Sequence, residues 1–165
     1  MADLEAFHNA PHYQMLKEIE GARCVMLGAP DPDLHMQPMA PQVDQELGNM
    51  VWFFSDNTSE LGRAVLAAPG DVTLAHIGKD YQASVRGRLE IETDRTKVDH
   101  FWNPVAASWY PQGKKDPKLI MLRFSPYKAG VWASDKSFLG FAYETLKANL
   151  TKTVPDVGEH KEIEV

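Results

Sequence analysis

The chain has 165 residues and a mass of 18.5 kDa, a length that fits one domain. Hydrophobic residues make up 44% and charged residues 24% of the sequence, a globular balance that excludes a mainly disordered chain. Lys and Arg total 17 and Asp and Glu total 23, so the formal charge is -6. Such a chain is a poor partner for nucleic acid, because phosphate binding needs clustered cations.

In the first half of the chain, apolar periodicity predicts two helices with extended segments between them. In chain order these are a helix over residues 8–20, a strand at 24–27, an extended segment at 34–40, a strand at 50–54 and a helix over 60–68. Cys24 lies in the first strand, so its thiol is expected to be buried and inert. Pro38 favours the edge of a sheet, because proline cannot donate a hydrogen bond to a neighbouring strand.

The second half contains the clearest pattern of the sequence. Apolar and polar residues alternate from 82 to 92, which predicts a strand with one apolar and one polar face. Gly87 in its middle indicates a bulge or a bend. The other predicted elements are a strand at 72–77, a short helix after Asp94, strands at 119–124 and 128–133 around a Ser125-Pro126 turn, and a helix over 137–150. Residues 151–165 are polar and are expected to form a mobile tail.

These elements predict a mainly β fold with peripheral helices (β+α), in a single domain over residues 1–150. About six short strands, one of them bent at a glycine, favour a six-stranded antiparallel barrel. The apolar runs fall far short of the ~20 residues that a membrane-spanning helix needs, and the N-terminal residues are not typical of a signal peptide. We therefore expect a cytoplasmic protein without a membrane partner.

The sequence lacks the common catalytic motifs. It contains no glycine-rich phosphate motif and no Gly-x-Ser-x-Gly nucleophile elbow. His8 and His12 have a spacing that can hold a metal, but no third ligand stands nearby, so two solvated histidines are the better interpretation and no metal site is predicted. No catalytic residue is identified, and the pattern alone indicates a barrel that has a polar-faced strand and many aromatic residues.

Five segments, in this order along the chain, carry a resemblance to a known family. They are Val25-Met26-Leu27-Gly28, Met36-Gln37-Pro38-Met39-Ala40, Val51 to Asp56, Tyr81 to Gly87, and the stretch from Phe101-Trp102-Asn103-Pro104 through Ser108-Trp109-Tyr110-Pro111 to Leu119. On these segments, which lie between about residues 10 and 135, the chain resembles the pyridoxamine 5'-phosphate oxidase-like FMN-binding split barrels. Within that family it is similar to the bacterial general stress protein group.

The resemblance implies a six-stranded split β-barrel that forms a homodimer, with FMN bound at the subunit interface. It also implies an oxidoreductase that uses a small-molecule electron donor or acceptor, although true pyridoxamine 5'-phosphate oxidase activity is not expected. A flavin needs an apolar wall, polar groups along its pyrimidine edge and donors or cations at its phosphate. The residues implied for these contacts are Met36, Gln37, Pro38, Met39, Phe54, Ser55, Asp56, Ser59, Leu61, Lys79, Gln82, Ser84 and Trp109.

Some residues depart from the family pattern, and they keep two alternatives open. Gln37 stands where relatives often carry Arg, and Glu60 and Leu61 stand where the oxidases carry an Arg-Lys pair. A dianion site that loses cations binds more weakly. Beside the flavin-dependent oxidoreductase, the alternatives are a flavin binder or carrier without catalysis, and a barrel that has lost FMN and takes another ligand such as a deazaflavin or haem. Residues 55–59 also fit simple helix capping, and Trp102 and Trp109 also fit core or dimer packing.

Overall fold

The computed structural model describes residues 2–29, 33–134, 143, 146–150, 152 and 158–165. The helices with defined bounds are α1 (Leu4–Asn9), α2 (Pro11–Glu20), α3 (Glu60–Ala67), α4 (Arg95–Phe101) and α5 (Pro104–Trp109). The strands are β1 (Val25–Gly28), β2 (Gln37–Met39), β3 (Val51–Asp56), β4 (Gly70–Ile77), β5 (Tyr81–Ile91), β6 (Leu119–Ala133) and β7 (Glu159–Glu164). In these described parts, no helix combines the length and apolar character that crossing a membrane requires.

The strands form one antiparallel sheet that almost closes into a barrel. Six of them follow the order β2–β1–β4–β5–β6–β3, and β7 pairs with β6 outside this path. The two ends of the path meet at a single bridge between Gln42, shortly after β2, and Trp52 of β3. Each of these residues donates its backbone N–H to the carbonyl of the other, at 2.8 and 2.9 Å. The result is a six-strand barrel with a seam, which confirms the predicted split barrel.

β5 shows the alternation that the sequence predicts, with Val85 buried inside the barrel and Ser84 and Arg86 exposed outside it. The pairing of β5 with β6 shifts register between Arg86 and Gly87. A Cβ atom at Gly87 would lie 2.4 Å from the ring of Phe124. Glycine is therefore required where the sheet bends, and the predicted bulge is confirmed.

The prediction of two strands around a Ser125-Pro126 turn is wrong, because β6 runs through this point as one strand of 15 residues. Arg86 pairs with Lys128 and Gly87 pairs with Pro126, which leaves Tyr127 as the extra residue of the bulge. A proline is tolerated inside a strand at such an irregularity, because its missing N–H costs no regular hydrogen bond there.

The predicted mobile tail is also corrected, because Glu159–Glu164 forms β7 against the second half of β6. The ammonium of Lys161 donates to the carbonyl oxygens of Phe7 and His8, at 3.2 and 3.0 Å, and Ile163 is buried. Backbone pairing and these few contacts stabilise a strand that the polar sequence of these residues does not predict. Of the remaining tail residues only 152 and 158 are described, with Val165 at the end of the chain.

The helices differ from prediction at both ends of the chain. The helix predicted over 8–20 is two helices, because Pro11 begins α2 and forces Ala10 out of helical geometry. Of the helix predicted over 137–150, residues 143 and 146–150 are helical and the others lie outside the described residues. By contrast, α3 and α4 begin directly after the predicted capping residues Ser59 and Asp94.

Two hydrophobic clusters lie on opposite sides of the sheet. The larger one fills the barrel and is closed at one end by Met15, Leu16 and Ile19 of α2. The smaller one lies outside β3 and the first half of β6, where α4 and α5 cover it; we call this surface the covered face. Its buried residues are Trp52, Val98, Tyr110, Leu119 and Met121, against which Leu47, Met50, Phe54, Phe101 and Trp102 pack.

Candidate functional site

The candidate site begins with the part of the outer sheet surface that no described helix covers. We call it the open face, and its residues come from β2, β1, β4, β5 and the second half of β6. One row of directly paired residues crosses these strands in the order Pro38, Met26, Ala75, Ser84 and Gly130. The next row is Ile77, Gln82 and Trp132.

Large apolar side chains are exposed on the open face. Ile77 is 82% exposed, Trp132 is 42% exposed and Met36 is 41% exposed. Met36 lies over Gly28, where an added Cβ would meet its side chain at 2.6 Å, so glycine leaves the space that the Met36 side chain fills. Trp132 stacks on His160 of β7, with ring centroids 4.7 Å apart. An apolar surface of this kind is typical of an interaction or ligand site.

Cations lie beside this apolar surface. Arg86 and Arg88 follow Ser84 on the outward side of β5, and all three side chains are exposed. Arg86 pairs across the sheet with Lys128, whose ammonium lies 3.1 Å from a carboxylate oxygen of Glu162. The open face therefore combines apolar surface and small polar groups, which suit a flavin ring, with arginines, which suit its phosphate.

The predicted residues of β2 point to different sides of the sheet. Pro38 belongs to the open face, whereas Met39 packs against the barrel interior. Gln37 is half-buried and pairs with Leu27 of β1. Of the predicted polar edge residues, Ser84 is exposed, and Gln82 donates its amide N–H to the carbonyl oxygen of Gly78 at 3.0 Å. Lys79 is exposed in the turn between β4 and β5.

The corner between β3 and α3 uses its short side chains within the protein. The hydroxyl of Ser59 accepts from the N–H of Gly62 at 3.0 Å and donates to the carbonyl of Asp56 at 2.8 Å. The carboxylate of Asp56 accepts from the N–H and the hydroxyl of Thr58, both at 2.6 Å, and these bonds lower the pKa of Asp56. The hydroxyl of Ser55, which is buried, lies 3.4 Å from that of Ser59. The corner is thus a well-formed helix cap.

The other predicted residues lie elsewhere. Leu61 is buried in the barrel core. Phe54 is on the covered face, edge-on to Trp102 at 5.7 Å, while Trp109 is 77% exposed at the end of α5. Two clefts among the described residues, of about 460 and 390 Å³, are lined by none of the predicted residues. One copy of the chain therefore does not bring the predicted residues into one pocket.

Acid–base groups are placed for structure in the described parts of this region. Burial raises the pKa of Tyr110 to about 12, and the carboxylates of Asp56 and Asp116 add to this effect. The indole N–H of Trp52 donates to Glu92 at 3.0 Å, and Arg123 forms ion pairs with Glu90 and Glu92. Among the described residues, no group of three or more His, Cys, Asp or Glu side chains is placed to hold a metal ion.

Sequence reasoning missed the contribution of Met26, Ile77 and Trp132 to the open face. The alternation of β5 places Gln82 and Ser84 on one side, but the registers of β4 and β6 are needed to add their neighbours. The strand predicted at 128–133 already puts Trp132 and Gly130 on one face by alternation, but the sequence does not show that this face adjoins Gln82 and Ser84.

Comparison with known proteins places the fold and the family. The model of a family described as pyridoxamine 5'-phosphate oxidase like matches residues 11–156. A protein of Jannaschia sp. CCS1, named for general stress protein 26, superposes with a TM-score of 0.77 at 30% identity, over 94% of this chain and 97% of that chain. No curated protein matches the chain.

Two further solved structures are similar to this chain. The general stress FMN/FAD binding protein of Xanthomonas citri has a TM-score of 0.69 at 35% identity, over 77% of this chain and 91% of its own. A Clostridium acetobutylicum protein related to general stress protein 26 has a TM-score of 0.64 over 93% of this chain and 94% of its own. Its identity is 14%, which shows the fold alone.

Proposed function

The chain belongs to the pyridoxamine 5'-phosphate oxidase like family, and from this premise we propose that it is a general-stress-type flavoprotein that binds FMN between two copies of itself. The observation that carries the proposal is the open face, on which Ile77, Trp132 and Met36 are exposed beside polar groups and arginines. The Xanthomonas citri relative, at 35% identity, is a general stress FMN/FAD binding protein.

A second copy of the chain explains why the predicted residues lie apart. Gln82 and Ser84 are on the open face, whereas Ser55 and Ser59 lie at the corner between β3 and α3. In a symmetric dimer one subunit contributes one group and its partner contributes the other, so that each pocket is complete only between subunits. Exposed aromatic side chains are typical of such interfaces.

The residues of the open face fit the needs of a flavin. Met36 and Pro38 offer apolar wall, while Ser84 and the carbonyl group of the Gln82 amide offer polar contacts for the ring edge. The carboxylates of Asp56 and Glu60 disfavour a dianion at the β3–α3 corner. We therefore propose that an arginine of the open face, Arg86 or Arg88, compensates for the absence of a cation at Gln37.

FMN supplies electron and hydride transfer when it is bound, and the protein supplies binding and orientation. Gln82 and Ser84 do not change protonation state near neutral pH, so they act by hydrogen bonding. We propose a flavin-dependent oxidoreductase with a small-molecule electron donor or acceptor, located in the cytoplasm. The alternative that the same observation favours is a flavin binder or carrier without catalysis, because the residues implied for the flavin on the open face, Met36, Pro38, Gln82 and Ser84, include neither an acid nor a base.

The decisive experiment is an absorbance spectrum of the purified protein, repeated after FMN is added and the sample is desalted. We expect the bands of oxidised flavin at about one FMN per chain. A protein that is colourless and retains no FMN would contradict flavin binding and would leave a barrel for another ligand. If FMN is retained, reduction by NADH or NADPH in a stopped-flow instrument separates the oxidoreductase from the carrier.

Two substitutions locate the phosphate. Gln37→Arg restores the cation of the family pattern, and we expect tighter binding of FMN if Gln37 faces the phosphate. Arg86→Gln on the open face is expected to weaken FMN binding, while Arg95→Gln, which also removes an exposed arginine but on α4, is its matched control. Equal affinities for the Arg86→Gln and Arg95→Gln proteins would contradict a role for Arg86.

A further inference from the structure

A second cleft lies at the end of the barrel that α2 closes. Its volume is about 390 Å³, within the range of about 300–1,000 Å³ that small-molecule sites occupy. It is bounded by the last turns of α2, the approach to β1 and the end of β4. The lining residues are Lys17, Glu18, Gly21, Ala22, Arg23, Cys24, His76, Ile77 and Gly78.

The inner wall of this cleft holds a buried histidine without a protein partner. His76 is 6% exposed, and neither of its ring nitrogens has a hydrogen-bond partner. Gly78 leaves the ring accessible, because an added Cβ there would lie 3.0 Å from Nε2 of His76. Native proteins rarely leave such a group unsatisfied, so an orphaned histidine at a cleft needs a partner from outside the chain, either a water molecule or a ligand.

Two more buried side chains, one beside this histidine and one on α2, also have polar atoms without partners. The hydroxyl of Tyr81 has no partner, and the ring of Tyr81 lies 6.4 Å from that of His76. The amide of Gln14, one helical turn before Glu18 on α2, also has both of its atoms unsatisfied. Five of the six buried side-chain atoms without partners in the described structure therefore belong to Gln14, His76 and Tyr81.

The chemistry of the cleft differs between its inner wall and its rim. Burial lowers the pKa of His76, so its neutral ring offers one donor and one acceptor. Burial also raises the pKa of Glu18, which lines the same cleft. At the rim, Lys17 and Arg23 are exposed cations, and Cys24 is exposed rather than buried as the sequence predicts.

We propose that this cleft binds a nucleoside monophosphate, with the base against His76 and the phosphate at Lys17 and Arg23. The ring nitrogen Nε2 of His76, which lies beside Gly78, can exchange one hydrogen bond with a purine edge, because such an edge offers both donors and acceptors, as adenine does at its N6 and N7 atoms. The rim cations match the phosphate. The inner wall of this cleft is distinct from the open face, because His76 and Tyr81 face the barrel interior while Gln82 faces outward. The exposed side chain of Ile77 borders both sites.

The test is a titration of the full chain with adenosine 5'-monophosphate, followed by NMR signals of the histidine side chains and by calorimetry. We expect the NMR signals of the His76 ring to shift and to saturate as the nucleotide is added. Adenosine should bind about tenfold more weakly, because the charge-assisted bonds to the phosphate are lost. Inorganic phosphate should not shift the signals of His76. Since Lys17 remains as the second cation, Arg23→Gln should reduce the difference in affinity between the nucleotide and the nucleoside. Arg63→Gln, the matched control on α3, should keep it.

His76→Phe removes the base contact and should abolish binding of both the nucleotide and adenosine. Because the inner wall of the cleft affects folding, Lys17→Gln and Arg23→Gln at the exposed rim test the site independently of the core. No shift at His76 with millimolar nucleotide would overturn the proposal and leave a cleft that holds water only. Loss of the flavin absorbance on addition of the nucleotide would also overturn it, because the two ligands would then share one site.

The proposal goes beyond the flavin function, and the two can fail separately. A protein without flavin that still shows the shift at His76 supports the cleft and contradicts the flavoprotein. A protein that retains FMN but shows no shift supports the flavoprotein and overturns the cleft. The Arg23→Gln protein should retain the same amount of FMN as the unmodified chain.

Discussion

The covered face and the open face are two parts of the same outer sheet surface, and β6 contributes to both. On the covered face Trp52 is 1% exposed and its indole N–H is bonded to Glu92. On the open face Trp132 is 42% exposed and stacks on His160 of the short strand β7. The strands have the same alternation in both places, so coverage by helices is what differs.

The difference arises from the segment between β5 and β6. That segment folds into α4 and α5, which return across β3 and bury Val98 and Tyr110 against the sheet. Under this cover the charged groups are paired, as Arg123 is with Glu90. No described helix returns across β4 and β5, so Ile77 and Arg86 remain exposed there. A covered apolar face stabilises the monomer, whereas an open one is available to a ligand or a second copy.

The largest expected effect comes from the two tryptophans. Trp52→Ala should lower the free energy of unfolding by about 3–5 kcal/mol, because it leaves a cavity under α4 and removes the partner of Glu92. Trp132→Ala should change it by less than about 1 kcal/mol, because the side chain is partly solvated in the monomer. Urea denaturation at low protein concentration measures both. Equal losses for the two variants would mean that the faces do not differ in this way.

The next effect concerns association. Ile77→Lys places a charge on the open face and should raise the dissociation constant of the proposed dimer at least about tenfold, because a charge must then be buried at the interface. Leu66→Lys on α3 is the matched control, since Leu66 is also an exposed aliphatic residue, at 50%. Sedimentation velocity measures the association. A dimer that tolerates Ile77→Lys would show that this part of the open face is not the interface.

A smaller effect is expected at the start of α5. Asn103 accepts hydrogen bonds from the N–H groups of Val105 and Ala106, both at 3.0 Å, and donates to the side chain of Gln42 at 3.2 Å. Asn103→Ala should cost about 1 kcal/mol, the usual value of a lost cap. Asn103→Asp keeps the cap and loses only the donor, so it should cost less. If urea denaturation shows that Asn103→Ala and Asn103→Asp lower the free energy of unfolding equally, the hydrogen bond to Gln42 stabilises α5 more than the cap does.

The smallest expected effect is a loss of folding stability at acidic pH, which arises from the carboxyl group of Asp94. Hydrogen bonds from the hydroxyl and N–H of Thr96 lower the pKa of Asp94, the cap of α4. Because the folded pKa lies below the unfolded value of about 3.9, this group stabilises the fold above that pH and loses its contribution as pH falls through the folded pKa. An NMR titration of the Asp94 carboxyl measures the pKa. Thr96→Val should move it back toward the ordinary value, and an unchanged pKa would contradict the assigned cause.

The sequence predicts a large part of the barrel because local physical chemistry decides it. The alternation over residues 82–92 places Val85 inside and Ser84 outside, and Gly87 is at the bulge because a side chain there would collide with Phe124. Ser59 and Asp94 cap their helices as predicted, because their side chains reach N–H groups only two or three residues away. The order of the segments also identified the family.

Other features depend on residues that are distant in the chain, and only the tertiary structure decides them. Pro126 lies within a strand because Gly87 faces it, and the polar residues of β7 form a strand because β6 offers a free edge. Cys24 is exposed although its neighbours are apolar. His76 and Gln14 are 62 positions apart, and only the packing of α2 on the barrel buries both without a partner. Sequence periodicity distinguishes the two faces of a strand. Which part of the outer face is buried depends on where the helices pack against the sheet, and this is decided by the tertiary structure.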